Sequence, residues 1–259
     1  MRLTALGALA FACHIQTAAA AAAAATDTIV LFDRERARPV PVALYFPASP
    51  SACTPARPCP VALLSPGYGN SHLEYGFLSE RLARLGYLVA AIGQEAPGDA
   101  KFDPQGDMVR QRAEMARRGA TTIRFVHGEL AQKLRGYDWQ RAVLAGHSMG
   151  GDSSALLAST DPAGIAAVVT LDNRRAALPR SSAIRVLSLR AADTGADPGV
   201  LPDAEERRRY GACILDLADS RHNDMVDGGP SVLKDAIGGA VERFLRLDAA
   251  GRPAFACGE

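Results

Sequence analysis

Short apolar runs alternate with amphipathic stretches along most of this 259-residue chain, and this alternation limits its possible folds more than any other feature. The apolar runs are typical of strands and span residues 28–32, 40–46, 60–64, 87–92, 141–145, 165–171, 184–189 and 213–217. Between them lie stretches with helical spacing, such as 73–85 and the segment that follows Pro230. Wholly apolar strands separated by helices predict a mostly parallel central sheet with helices on both faces. With no internal repeat or Gly/Ser linker, the sequence predicts a single α/β domain.

The first 25 residues have the composition of an export signal rather than of a folded segment. Arg2 precedes a short apolar run at residues 3–12, and an alanine tract covers residues 18–25. A positive start, an apolar centre and small residues are the pattern of a secretory signal peptide. We therefore predict a signal at residues 1–25, a domain at residues 26–259 and a secreted or periplasmic protein. Lipid attachment at Cys13 is the alternative.

The charge balance argues against functions that need a strongly charged surface. The chain has 29 Lys and Arg against 28 Asp and Glu, a formal net charge of +1. No bulk attraction to nucleic acid is therefore expected. Beyond the N-terminal segment, no apolar run reaches the length of a membrane span. The sequence predicts no particular oligomeric state.

The cysteines agree with export. Four remain once residues 1–25 are removed, an even number that allows three pairings. Cys53 and Cys59 flank a proline-rich loop and could close it, and Cys213 and Cys257 could then join the last strand to the chain end. Four unpaired buried thiols are the alternative. Cysteine and histidine spacings do not match a zinc site.

The most informative motif is Gly-His-Ser-Met-Gly-Gly at residues 146–151, between the apolar run at 141–145 and a predicted helix at 148–159. Gly-x-Ser-x-Gly between a strand and a helix is the pattern of a nucleophile elbow. The serine must stand on a sharp turn so that its hydroxyl projects above the sheet, and the flanking glycines avoid collisions. The first N–H groups of the helix then point towards negative charge near Ser148. The motif predicts a serine nucleophile.

With this motif in this setting, the sequence resembles the α/β-hydrolase superfamily over essentially its whole length beyond the signal. The resemblance implies the α/β-hydrolase fold and the order nucleophile, acid, histidine after successive strands. A serine hydroxyl needs a base at neutral pH, and His222 follows the last predicted strand, where the family has its base. Three candidates for the acid stay open. Asp193, shortly after the strand at 184–189, is favoured over Asp197 and over Asp172, the position that some lipases use.

Two backbone N–H groups are predicted to bind the oxyanion that forms during acyl transfer. One belongs to Met149, directly after the nucleophile. The other is assigned to Tyr68, in the Ser-Pro-Gly-Tyr-Gly-Asn loop at residues 65–70. Glycines on both sides of Tyr68 would let the backbone approach a substrate closely.

Several motifs together resemble one branch of the superfamily, which contains polyesterases, cutinases and platelet-activating-factor acetylhydrolases. These motifs are Pro-Gly-Tyr at 66–68, the elbow at 146–151 and Asp-Thr at 193–194. In that branch the aromatic residue after Pro-Gly also packs on the substrate. The chain departs from the polyesterases at His147, where they commonly carry tryptophan, and its one tryptophan, Trp139, lies outside the motifs. This departure argues against an aromatic clamp for a polymer.

The resemblance implies hydrolysis of a small-molecule carboxylic ester through a Ser-His-Asp triad and an acyl-enzyme intermediate. This chemistry needs neither a metal nor an organic cofactor. A serine amidase or peptidase with the same triad stays open as an alternative, as does a non-catalytic binding protein of the same fold.

Overall fold

The computed structural model describes residues 26–246 and Cys257. The predicted signal peptide at residues 1–25, with Cys13, lies outside the described residues. Within the described part, the strands are Thr26–Asp33 (β1), Arg38–Tyr45 (β2), Val61–Ser65 (β3), Leu88–Ile92 (β4), Ala142–His147 (β5), Ile165–Leu171 (β6), Arg185–Arg190 (β7) and Cys213–Asp216 (β8). The α-helices there are Gly76–Arg84 (α1), Met108–Lys133 (α2), Met149–Thr160 (α3), Ala204–Tyr210 (α4) and Ser231–Leu245 (α5).

The strands form one sheet in the order β1-β2-β4-β3-β5-β6-β7-β8. Strand β2 is antiparallel to both β1 and β4, whereas all pairs from β4 to β8 are parallel. Each predicted strand is present, with its ends moved by a few residues. The predicted fold class, a mostly parallel α/β sheet in a single domain, is confirmed.

Helices cover both faces of the sheet, and strand β3 shows how its residues divide between them. Ala62 and Leu64 pack into the core on the side of α1 and α5. Val61 and Leu63 pack into the core on the side of α2 and α3. Because successive side chains of a strand point to opposite faces, a continuous apolar run supplies both cores at once. This explains why the central strands are not alternating in polarity.

Helix α2 begins at Met108, after the long connection that follows β4. The Asp107 carboxylate accepts a hydrogen bond from the Arg110 N–H at 3.0 Å, which caps the first turn. The helix then packs against α3, and a Cβ added to Gly119 would lie only 2.2 Å from Oγ of Ser153. Among residues 26–246, no helix combines the length and the apolar character needed to cross a membrane.

Both predicted cysteine pairs are bonded. Cys53–Cys59 closes the proline-rich loop, and Cys213–Cys257 ties the start of β8 to a residue near the chain end. Because β8 lies at one edge of the sheet, the second bond holds a strand that has a neighbour on one side only. The predicted pairing is therefore confirmed, in preference to four unpaired thiols.

Candidate active site

The parallel strands bring several polar side chains to one edge of the sheet. Strand β5 leads into Ser148, β6 leads into Asp172, and the segment after β8 forms a short 3-10 helix at His222–Asp224. The carboxyl ends of parallel strands meet at the same edge, so residues that are far apart in sequence become neighbours there. Ser148 and His222 are both partly buried at this edge.

The sharp turn at Ser148 depends on the glycines around it. The serine backbone has φ 50° and ψ −116°, in a region that non-glycine residues seldom adopt. A Cβ on Gly146 would lie 2.3 Å from the carbonyl oxygen of Gly150, and a Cβ on Gly150 would lie 2.2 Å from that of Ser65. The Ser148 N–H donates to the carbonyl oxygen of Leu171 at 2.9 Å. The elbow predicted from the motif is therefore present.

Ser148, His222 and Asp172 are joined in a line of hydrogen bonds. Nε2 of His222 lies 2.9 Å from Oγ of Ser148, and Nδ1 of the same ring lies 2.5 Å from Oδ2 of Asp172. An ionised carboxylate can only accept, so the ring proton belongs on Nδ1. The lone pair of the neutral imidazole then faces the serine hydroxyl. This is the tautomer that a general base requires.

The carboxylate beside the imidazole is not the one that sequence reasoning favoured. Asp193 is exposed, and its Oδ1 accepts from the backbone N–H of His222 at 2.7 Å rather than from the ring. Asp197 is also exposed and forms an ion pair with Arg175. Asp172 has no exposed side-chain surface. The preference for Asp193 is therefore corrected to Asp172, because the turn after β6 places the Asp172 carboxylate against Nδ1 of the His222 ring.

Several groups stabilise the charged form of Asp172. Burial alone would raise its pKa, but hydrogen bonds from His222 and Thr194 and the charge of Arg190 outweigh burial and hold the pKa below its usual value. Nη2 of Arg190 lies 2.8 Å from Oδ1, and the Ala191 N–H donates to the same oxygen at 3.2 Å. Asp172 itself has a positive φ of 52°, which aspartate tolerates better than most residues. The carboxylate is thus ionised and oriented by β7 as well as by its own turn.

Sequence reasoning missed Asp152, which anchors the segment after Asp172. This aspartate lies in the first turn of α3 and is almost fully buried. Its Oδ1 accepts from three consecutive backbone N–H groups at 2.8 to 3.0 Å, those of Arg174, Arg175 and Ala176. Its position directly after the elbow was the only local signal, since a carboxylate is favourable near a helix N-terminus.

The two predicted oxyanion donors, Tyr68 and Met149, line a common cavity of about 20 Å³. Among the described residues, the N–H groups of Gly67 and Gly69 on either side of Tyr68 have side-chain acceptors. The N–H groups of Tyr68 and Met149 have no hydrogen-bond partner within that part of the chain. Both therefore stay the predicted oxyanion donors. The Tyr68 hydroxyl accepts from the N–H of Phe102 at 3.0 Å, which fixes the side chain.

Sheet order, elbow and the Ser-His-Asp line together define the α/β-hydrolase fold, and the chain has this fold. No protein-family model matches the sequence, and no curated protein matches it in a sequence search. Many solved structures do match. A ferulic acid esterase from Streptomyces cinnamoneus is 25% identical with a TM-score of 0.58, over 81% of this chain and 78% of that one.

Two further similar structures have lower sequence identity, and their likeness shows the fold alone. Esterase 2 of Thermogutta terrifontis, phosphoramylated by tabun, is 17% identical with a TM-score of 0.59, over 85% of this chain and 93% of that one. An S-formylglutathione hydrolase from Agrobacterium tumefaciens is 14% identical with a TM-score of 0.55, over 84% of this chain and 95% of that one. The predicted membership in the α/β-hydrolase superfamily agrees with these structures. The narrower resemblance to the polyesterase, cutinase and platelet-activating-factor acetylhydrolase branch stays a prediction.

Proposed function

We propose that this chain is a serine hydrolase of small-molecule carboxylic esters that works through an acyl-enzyme intermediate. The observation that carries the proposal is the continuous line from Ser148 Oγ through the His222 ring to Asp172, with contacts of 2.9 and 2.5 Å. Similar folds belong to a ferulic acid esterase, an S-formylglutathione hydrolase and a dienelactone hydrolase-like promiscuous phosphotriesterase. All three names describe hydrolases, and the ferulic acid esterase, at 25% identity, favours a carboxylic ester here.

The first half-reaction acylates the serine. Nε2 of His222 takes the Ser148 hydroxyl proton as Oγ attacks the ester carbonyl, and the carbonyl electrons move onto oxygen. The backbone N–H groups of Met149 and Tyr68 stabilise the oxyanion. The oxyanion then re-forms the carbonyl, the bond to the alcohol oxygen breaks, and imidazolium returns its proton to the leaving alcohol. Asp172 keeps its negative charge throughout and stabilises the imidazolium.

The second half-reaction uses the same groups with water as the nucleophile. His222 removes a proton from water, the oxygen attacks the acyl carbon, and collapse of the oxyanion breaks the bond to Ser148 Oγ. The serine oxygen is reprotonated by His222, and the acid product leaves. Every proton passes through one nitrogen, Nε2, which is why the ring must stay in a single tautomer.

We also propose that the protein is exported. The composition of residues 1–25 supports this, and so do the two disulfides, because such bonds persist in oxidising compartments. Cleavage within the alanine tract would leave the whole described part of the chain intact.

The test is a p-nitrophenyl ester series of increasing acyl length, assayed on wild type and Ser148→Ala. We expect kcat in the variant to fall by about 10⁴-fold or more, with labelling by a fluorophosphonate probe abolished. Ser159→Ala changes an exposed serine near the end of α3; it is the matched control and should behave as wild type. Near-wild-type turnover in Ser148→Ala would refute the proposal.

Two further readouts use the same preparations. Matched p-nitrophenyl ester and anilide substrates compare the two leaving groups, and faster anilide cleavage would favour an amidase instead. After expression of the full chain, recovery of the protein outside the cytoplasm reports export, and its mass shows whether residues 1–25 have been removed. An extracytoplasmic product that still carries residues 1–25 would contradict cleavage of the signal.

A further inference from the structure

A buried hydrogen-bonded chain outside the reacting groups joins the three loops of the site. The backbone N–H of Gly67 donates to the Tyr75 hydroxyl at 3.0 Å, and this hydroxyl lies 2.8 Å from Nδ1 of His147. Nε2 of His147 lies 3.0 Å from the backbone carbonyl oxygen of His222. The Tyr75 and His147 side chains are almost fully buried. Neither has a role in the proton transfers described above.

The direction of every bond in this chain follows from one acceptor. The carbonyl oxygen of His222 can only accept, so Nε2 of His147 must carry the ring proton. Nδ1 of the neutral ring is then an acceptor, and the Tyr75 O–H must donate to it. The Tyr75 oxygen, whose proton is already donated to His147, accepts a hydrogen bond from the Gly67 N–H. Burial, with a smaller contribution from nearby His222, lowers the pKa of His147 to about 4, so the ring is neutral at pH 7.

We propose that Tyr75 and His147 are positioning residues that hold the oxyanion-binding loop and the general base at a fixed separation. One end of this hydrogen-bonded chain is the N–H of Gly67. Gly67 directly precedes Tyr68, whose own N–H is assigned to the oxyanion. The other end is the main-chain carbonyl of His222, the residue whose ring accepts the serine proton. The inference rests on the proposed function, because positioning has a consequence only if these groups react.

Packing supports the same assignment. A Cβ added to Gly67 would lie 2.9 Å from Nδ1 of His147, so the loop backbone rests directly on the imidazole. The centroids of the His147 and His222 rings are 4.8 Å apart. His147 therefore contacts the oxyanion-binding loop through Nδ1, and it contacts His222 through Nε2 and through the tilted packing of the two rings. A displacement of this ring moves both parts of the site.

The expected consequence of breaking the chain is misalignment, with little loss of substrate binding. Tyr75→Phe removes one oxygen, leaves no large cavity, and leaves the Gly67 N–H and Nδ1 of His147 without partners. Displacements of about 1 Å in an active site can lower rates by about 100-fold. We therefore expect kcat to fall by about 10- to 100-fold, with KM within about 3-fold of wild type.

The test compares an ester with its thionoester on wild type, Tyr75→Phe and the control Tyr87→Phe, a tyrosine that packs on the core side of α1 and α5. Thermal unfolding is measured in parallel. Sulfur accepts hydrogen bonds more weakly than oxygen, so thionoester turnover depends less on the oxyanion donors. We expect the ester-to-thionoester ratio of kcat/KM to fall by about 10-fold in Tyr75→Phe and to stay unchanged in Tyr87→Phe.

A second pair of variants removes the ambiguity that a folding defect would leave. His147→Gln keeps an N–H that can reach the His222 carbonyl, whereas His147→Leu has none. Glutamine should retain at least about 10-fold more activity than leucine. An unchanged ratio in a stably folded Tyr75→Phe, or equal losses for glutamine and leucine, would overturn the inference. If Ser148→Ala is inactive in that case, the proposed function stands; if Ser148→Ala is active, the proposed function itself has failed.

Discussion

The segments that follow β6 and β7 each present a carboxylate to His222, and they do so in opposite ways. After β6, Asp172 is fully buried and contacts the imidazole ring. After β7, Asp193 is exposed and contacts the backbone N–H of the same residue. The first carboxylate can orient a ring, whereas the second can only hold a loop. The aspartate that pairs with the His222 ring is therefore the buried one. Its distance along the sequence from the end of a strand does not decide the pairing.

Electrostatics gives the physical reason for this difference. Charges interact more strongly where water is excluded, and an exposed carboxylate is screened by solvent. The buried Asp172 would be costly without partners, and Thr194 and Arg190 supply them. The last residue of β7 and the segment after it thus stabilise Asp172 through Arg190 and Thr194, although the aspartates of that segment do not reach the ring.

The largest expected effect separates the two aspartates directly. Asp172→Asn should lower kcat by about 10³- to 10⁴-fold, because an amide cannot hold the required imidazole tautomer. Asp193→Asn keeps an oxygen that can accept from the His222 N–H and should change kcat by less than about 10-fold. Initial rates on a p-nitrophenyl ester decide between them. A larger loss in Asp193→Asn would reverse the assignment of the acid.

A smaller effect is expected on stability, and it tests how firmly the segment after β6 is held. Asp152→Ala removes the acceptor of three backbone N–H groups and should lower the free energy of unfolding by about 2 to 3 kcal/mol. Asp152→Asn keeps one side-chain oxygen and should cost about half as much.

The matched control for this change lies in the segment after β7. Asp197→Ala breaks an ion pair with Arg175 in which about half of the Asp197 side chain is exposed, so a loss within about 1 kcal/mol is expected. Urea unfolding followed by circular dichroism measures all three variants. Equal losses in Asp152→Ala and Asp197→Ala would mean that the two segments are anchored equally.

The smallest expected effect is a change in acid sensitivity. Because the pKa of Asp172 lies below its usual value of 3.8 in the folded chain, the unfolded chain binds this proton first as the pH falls. Stability from Asp172 is therefore fully present above about pH 4 and is lost as the pH falls through the folded-state pKa. The free energy of unfolding of wild type should fall more steeply below pH 4 than that of Asp172→Asn. Parallel curves would contradict the charged, stabilised carboxylate.

The fold could be predicted because apolar runs and helical spacing are local properties of the sequence. Ser148 could be predicted for the same reason, since its motif lies within six residues, and His222 because it follows the last strand. Asp172 could not be distinguished from Asp193, because β6 and β7 end at the same edge of the sheet. The choice depends on the positive φ of Asp172 and on the side chain of Thr194, which no local pattern reports.

The contact between Tyr75 and His147 was equally invisible in the sequence, because 72 residues separate them. In the sequence, His147 stands out only as a departure from the tryptophan that polyesterases commonly carry. Its role depends on a carbonyl group in another loop, and main-chain groups leave no signature in composition. Asp152 is similar, because its three partners are all backbone N–H groups.

The backbone of Ser148, at φ 50° and ψ −116°, has a consequence for the thermal stability of the protein. A residue in such a conformation costs about 1 to 3 kcal/mol, and the folded chain bears that cost whether or not substrate is present. Replacement by glycine would relax the turn and give a molecule that resists heat better and catalyses nothing. High thermal stability and a correctly placed nucleophile therefore conflict at Ser148. The rest of the sheet must be stable enough to offset the cost of this conformation.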